Sequence, residues 1–257
     1  MLLSEAGNFI YLKTHKTAST TTELALEPFC APPNHKVLLR NKDPLITDYG
    51  IVGARSGGPK RRRRSDFFWN HMGTEQIIKR IGFEKFMTYK RVTSVRNPFK
   101  KYTSQFYFRY HLNKKLNPPT TLTETREAFE KFLLSPESKT WACRKHKIIS
   151  KVLHFGASSN IPMYPGNDDY IVKYKGNLVA THFIKCESLE EDLKEFCKIS
   201  SLSPELLNIG NYRDNSPIKK YNHYELFHDN KTLVSRVIDL EGWVFDAVGY
   251  SKDPEQA

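Results

Sequence analysis

The alternation of apolar and polar stretches divides the chain into elements before any composition is considered. Residues 8–13 read NFIYLK, a short apolar and aromatic run of strand length that stops abruptly at the polar stretch THKTASTTTE. From about Ser19 to Phe29, Leu24 and Leu26 sit in a good helix-forming context that Pro28 ends. Residues 30–65 are rich in Pro, Gly and charge and predict a long loop excursion. TEQIIKRIG predicts a short helix, and FMTYKRVTSV (residues 86–95) a second strand that stops at Arg96, with Pro98 in the first turn of a following helix. Phe129, Phe132 and Leu133 recur at helical spacing, and SKTWACRKHKIISKVL predicts a further helix. DYIVKY and ATHFIKC predict adjacent strands leading into a helix with Leu189, Leu193 and Phe196 on one face. A mostly helical segment from Asn230 and a frayed polar tail at residues 251–257 complete the chain. Strands alternating with helices predict one α/β domain over residues 1–257, a three-layer sandwich with a largely parallel central sheet.

Composition narrows the class. At 257 residues, 39% hydrophobic and 12% aromatic, the chain is a folded protein able to bury a full core without staples. No apolar run approaches the roughly 18 residues of a membrane span. MLLSEAGNFIYLK lacks the basic and small-residue features of a signal peptide. A cytoplasmic chain without stable membrane insertion is expected as written, or a Golgi-lumenal one if it is a piece of a longer protein. Cys30, Cys143, Cys186 and Cys197 form no CxxC pair, which predicts buried thiols rather than zinc or a disulfide framework. Forty basic against 28 acidic residues give a net charge of +12. That excess suits nucleic acid, an anionic membrane surface, a polyanionic glycan or a phosphate-rich cofactor equally.

Two segments choose among these. The loop after the first strand holds Lys13, Thr14, His15, Lys16, Thr17 and Ala18, with Ser19, Thr20 and Thr21 opening a helix. Free N–H groups and the helix dipole favour an anion there, Lys16 adds a full charge, and the hydroxyls add donors. No glycine occurs from Asn8 to Thr22, so the GxxxxGK[ST] loop of nucleoside triphosphatases is absent. The second segment is VTSVRNPFKKYTSQFYF. Arg96 stands at the carboxyl end of a strand, and Ser104 lies about two helical turns up the next helix, so that a guanidinium and a hydroxyl can converge on one phosphate.

Together KTHKTASTTTE and SVRNPFKKYTSQFYF resemble the 5′-phosphosulfate loop and the 3′-phosphate motif of Golgi-type carbohydrate sulfotransferases that use 3′-phosphoadenosine 5′-phosphosulfate (PAPS), most of all the galactose 3-O-sulfotransferase and cerebroside sulfotransferase group. Asn70, His71 and Met72 resemble an Asn-His-Met or Asn-His-Leu segment of that group, and FIKCESLEEDLKEFC and RDNSPIKKY resemble blocks in the C-terminal half of the wider family. The resemblance implies a P-loop-like nucleotide-binding sulfotransferase fold. It implies a 5′-phosphosulfate held by Lys13, Thr14, Lys16, Thr17, Ala18, Ser19, Thr20 and Thr21, and a 3′-phosphate held by Arg96 and Ser104. Lys16 would stabilise the leaving phosphate oxygen, His71 would act as base, and His15 would orient the acceptor or share the proton. Arg213, Ser216, Lys219 and Lys220 would close over the 3′-phosphate or the acceptor.

The implied reaction is sulfuryl transfer from PAPS to a hydroxyl of a sugar, glycolipid or related small acceptor, without metal and without nucleic acid as partner. Two other classes fit parts of the sequence. One is a non-catalytic module binding nucleic acid or a heparin-like glycan through Arg61, Arg62, Arg63 and Arg64 and the basic surface. The other is a nucleotide kinase on the same strand-loop-helix frame.

Overall fold

The computed structural model describes residues 1–56, 65–112, 116–135, 167–210 and 220–257. The expected helix at 138–153 and Cys143 lie outside them. The chain folds into two compact units, each assembled from two stretches: Met1–Arg96 with Tyr170–Asp214, and Asn97–Asp169 with Asn215–Ala257.

The first unit is α/β. Its strands are β1 (Leu2–Ser4), β2 (Phe9–Leu12), β3 (Leu45–Thr47), β4 (Gly50–Val52) and β5 (Lys90–Val95), with the two-residue β6 (Lys173–Tyr174) and β7 (Asn177–Leu178) and finally β8 (His182–Lys185). Six of them form one sheet in the order β3-β4-β1-β2-β5-β8. β2, β5 and β8 run parallel, whereas β3 pairs antiparallel with β4, β4 with β1 and β1 with β2. The sheet is therefore mixed rather than largely parallel. The reason is connection length. Residues 5–8 join β1 to β2 and Asp48 and Tyr49 join β3 to β4, and only an antiparallel return fits such short links, since a parallel crossover takes a dozen residues or more. Gly50 permits the close pairing of β4 with β1, because a Cβ there would stand 2.0 Å from the Leu3 carbonyl oxygen.

Helix α1 (Ser19–Leu26) continues into a 3-10 turn at Glu27–Cys30. With the late helix Leu189–Ile199 it covers one sheet face, where Phe9, Tyr11, Val92 and Ile184 meet Ala25, Leu26, Phe29, Leu193 and Phe196. α2 (Thr74–Ile81) follows the expected pattern. Two segments depart from it. Residues 86–88, expected in a strand, belong to the helix α3 (Phe83–Thr88), and residues 169–172, also expected as strand, form the helical turn Asp169–Val172. Both carry apolar residues whose short runs do not distinguish helix from strand.

The second unit is helical among its described residues: α4 (Pro98–Leu112), α5 (Leu122–Leu133), then His223–Phe227 and Lys231–Val248. Asn97 precedes α4 and its Oδ1 accepts from the Phe99 N–H at 3.0 Å, which leaves Pro98 in the first turn, where a missing N–H costs nothing. Thr121 and Glu124 form a reciprocal capping box on α5. An aromatic core joins these helices. Phe106 meets Phe129 edge-on at 5.2 Å, and Phe227 meets Phe99 at 5.0 Å and Phe129 at 5.1 Å. The tail is more ordered than expected: Pro254–Gln256 forms a 3-10 turn that Asp253 caps, and Ala257 packs on this core.

A buried ion cluster holds the first unit together. Glu23, fully buried on α1, accepts from Lys13 Nζ at 2.6 Å and from Arg55 Nε at 2.9 Å. Burial opposes ionisation of Glu23, yet the adjoining cations, Lys13 first, outweigh it and lower its pKa. Removing this carboxylate takes from buried Lys13 its Glu23 partner and leaves Arg55 with Glu27 as its carboxylate. Glu23→Ala is expected to destabilise the fold by about 3–5 kcal/mol, read as a lower denaturant midpoint at unchanged slope. A loss of under about 1 kcal/mol would show that the cations find other partners.

Candidate functional site

The parallel register places two loop starts side by side. Leu12 on β2 lies opposite Thr93 on β5, so residues 13–18 leave the sheet next to the end of β5. Thr14 Oγ1 fastens them together by donating to the Ser94 carbonyl at 2.5 Å. Its single proton is used there, so the 2.8 Å contact between the Thr14 and Thr17 hydroxyls has Thr17 as donor. From the other side Tyr11 OH donates to the Ser19 carbonyl at 3.1 Å.

The loop thus separates into two sets. Lys13, Thr14, Thr17 and Ser19 are buried, and the first three spend their side chains on the Glu23 cluster, on Ser94 and on Thr14. His15, Lys16, Ala18, Thr20 and Thr21 are half-buried and border the helix N-terminus. Lys16 and Ala18 hold left-handed backbone at φ 61° and 55°, a conformation rare for residues with a Cβ. Ala18 is the N-cap of α1 and offers no side-chain acceptor. The first turn of α1, Ser19 to Thr21, therefore points backbone N–H groups outward without a side-chain cap from that position.

His71 reaches the same loop from a distant part of the sequence. The Ala54 N–H donates to the Phe68 carbonyl at 2.9 Å and the Asn70 N–H to the Ala54 carbonyl at 2.8 Å, which lays residues 68–70 along the end of β4. Gly53 permits the approach, since a Cβ there would lie 2.8 Å from the Met1 carbonyl oxygen and 3.2 Å from the Trp69 backbone. His71, at φ 53°, then places Nδ1 3.0 Å from the Lys13 carbonyl oxygen. A carbonyl only accepts, so Nδ1 carries the hydrogen and Nε2 is the basic nitrogen of the neutral ring. The His15 ring stacks on it at 3.8 Å between centroids and 11° between planes. Burial, then the neighbouring His15 and Lys13, push the His71 pKa well below the ordinary histidine value, so the ring is neutral at pH 7.

Arg96 follows β5, two residues past the Ser94 carbonyl that anchors Thr14. Its Nε is buried and has no hydrogen-bond partner among the described residues. Arg91, earlier on the same strand, differs: its guanidinium is spent on carbonyls, among them those of Val179 and Tyr89, each at 2.7 Å. Ser104 is buried on α4 and belongs to the second unit. In that unit Lys220 donates to the Thr120 carbonyl. Arg213, Ser216, Lys219 and the four arginines at 61–64 lie outside the described residues.

Three residues that shape this site carry no motif. Glu23 is visible only as an acid within the apolar helical stretch ELALE, Arg55 lies inside the expected loop excursion, and Ser94 is the penultimate residue of β5. The second unit contains another buried charge cluster. Lys101 on α4 donates to Asp168 Oδ2 at 2.8 Å and to Glu241 Oε1, and Tyr102 OH donates to the same Glu241 oxygen at 3.1 Å. Glu241 has non-helical backbone inside Lys231–Val248, and its Oε2 is buried without a partner among the described residues. Burial raises its pKa to about 7 despite Lys101, with Asp168 adding to the rise.

The two shifts have opposite signs. His71 is harder to protonate folded than unfolded, so its contribution to stability is present above the unfolded value of 6.5 and is lost as pH falls through it. Glu241 is easier to protonate folded, so its contribution is present below 4.5 and is lost as pH rises towards about 7. His71→Gln is expected to flatten the loss of stability on acidification below pH 6.5, and Glu241→Gln to flatten the loss between pH 4.5 and 7, both read as unfolding midpoints against pH. Slopes unchanged in either variant would remove that residue's assigned shift.

Comparison with protein-family models, curated proteins and solved structures finds no match to this chain.

Proposed function

We propose that the chain is a PAPS-dependent O-sulfotransferase that moves a sulfuryl group to a hydroxyl of a sugar, glycolipid or related small acceptor. The observation that carries this reading is the His71 imidazole. Its Nδ1–H is committed to the Lys13 carbonyl, and its basic Nε2 belongs to a ring stacked on His15, next to Lys16 and the uncapped start of α1. A base, a cation and a set of backbone donors within one loop cluster are what transfer of an anionic group to a hydroxyl requires. The strand-loop-helix from β2 to α1 and the parallel trio β2, β5 and β8 support a P-loop-like reading of the fold.

The residues present fit an anionic nucleotide: N–H groups and hydroxyls at Ser19, Thr20 and Thr21, the charge of Lys16, and the Nε of Arg96, which has no partner among the described residues. The cosubstrate supplies an already activated sulfuryl group. His71 Nε2 takes the hydroxyl proton as the acceptor oxygen bonds to sulfur, and Lys16 balances the charge left on the phosphate oxygen as its bond to sulfur breaks. His15 holds the His71 ring plane by stacking, and Lys13 holds its tautomer through the backbone. Lys13, Thr14 and Thr17 are positioning residues in this scheme, because their side chains are spent within the protein.

The test separates base from brace. His71→Asn keeps an N–H donor for the Lys13 carbonyl but has no basic nitrogen. It is expected to bind 3′-phosphoadenosine 5′-phosphate (PAP) as the wild type does while losing about 10²- to 10⁴-fold in turnover. Arg96→Ala is expected to weaken PAP by about tenfold or more. In a thermal-shift series PAP should stabilise the wild type above AMP or Mg-ATP. Preference for Mg-ATP would favour a kinase, and indifference to all three with salt-sensitive polyanion binding would favour a non-catalytic module.

A further inference from the structure

We propose that the loop at residues 36–42 is a docking patch for an anionic membrane surface, with Leu38 and Leu39 entering the headgroup boundary and Lys36, Arg40 and Lys42 meeting the lipid charges. The stretch reads KVLLRNK: three cations, three apolar residues and no acid before Asp43. Leu38 and Leu39 are 45% and 43% exposed.

Their exposure is built rather than incidental, because the backbone around them is tied down. Arg55 Nη1 donates to the Leu38 carbonyl at 2.6 Å, and the Arg55 N–H donates to Asn41 Oδ1 at 2.9 Å. Ser56 Oγ donates to the Asn41 carbonyl at 2.8 Å, and Asn41 Nδ2 donates to the Gly53 carbonyl at 3.3 Å. At the start of the loop His35 Nε2 lies 2.8 Å from Glu27. Arg55 itself is held by the buried Glu23 and Glu27, so the loop is anchored to the core of its unit while its two leucines face solvent.

The composition selects the partner. Lysine is depleted from the centres of protein interfaces, whereas adjacent apolar residues flanked by Lys and Arg suit the boundary of an anionic bilayer. Attachment by such a patch is peripheral, and screening of the cations makes it sensitive to salt.

The test is co-sedimentation of the full chain with vesicles of phosphatidylcholine containing about one third phosphatidylserine, against vesicles of phosphatidylcholine alone, near physiological salt. Wild type is expected to partition to the anionic vesicles, less so as salt rises. Leu38→Ser with Leu39→Ser should reduce that partitioning by about tenfold or more, and Lys36→Gln with Arg40→Gln should do likewise and remove most of its salt dependence. Both pairs are exposed, and an unchanged thermal midpoint confirms that the variants are folded; Leu39→Ser alone serves where a pair is not. Three results would overturn the proposal: no binding of wild type to anionic vesicles, binding unaffected by the leucine changes, or binding lost only when residues 61–64 are replaced by Ser.

Discussion

The carboxylate of Glu23 carries constraints far larger than its size. A buried anion is tolerable only when paired, and here the pairing reaches Lys13 at the end of β2 and Arg55 beyond β4. Arg55 extends the tie to Glu27 and to the loop carbonyl of Leu38. One helix, one strand end and one long loop are thereby fixed by a single charge cluster. Lys13 is drawn inward by it, and its backbone carbonyl is the group that receives His71 Nδ1. The tautomer of the proposed base thus depends on an ion pair that never touches substrate.

The same economy runs through residues 13–21. Side chains that look interchangeable as phosphate donors divide into those that build the loop and those left beside the helix N-terminus. Thr14 and Thr17 close an internal chain onto Ser94, which allows Lys16 and Ala18 to hold left-handed backbone at a cost of about 1–2 kcal/mol each. Nucleoside triphosphate loops use glycine for such turns. Here buried hydroxyl bonds hold the shape instead.

In the second unit, Glu241 shows a different use of buried charge. Lys101 faces two carboxylates, and a proton on Glu241 brings the cluster closer to neutrality near pH 7. The residue interrupts its own helix, so that the carboxylate meets Lys101 and Tyr102 rather than following the regular helical path. Polar contact outweighs local helical geometry at this one position.

Periodicity and turn chemistry were enough to place β2, α1, α2, α4 and α5, because each has a clear apolar pattern or a local signal such as Pro28 or Pro98. They also brought Lys16 and its hydroxyl neighbours to a strand-helix junction. They were not enough for the sheet. β1, β3 and β4 are three-residue strands, too short for an alternation to register, and the pairing of β1 with β4 that joins the two short hairpins brings together segments about fifty residues apart. Nor could a sequence pattern assign Lys13 to Glu23, since a lysine beside a Ser/Thr-rich loop reads as a phosphate ligand until a buried carboxylate is found within 2.6 Å of it. The stacking of His15 on His71 and the hydrogen bond that leaves Nε2 basic join residues 56 and 58 positions apart, His15 and Lys13 with His71. Local sequence determined which groups were available for chemistry; only the tertiary structure decided which are exposed to act, because burial and pairing are settled between distant segments.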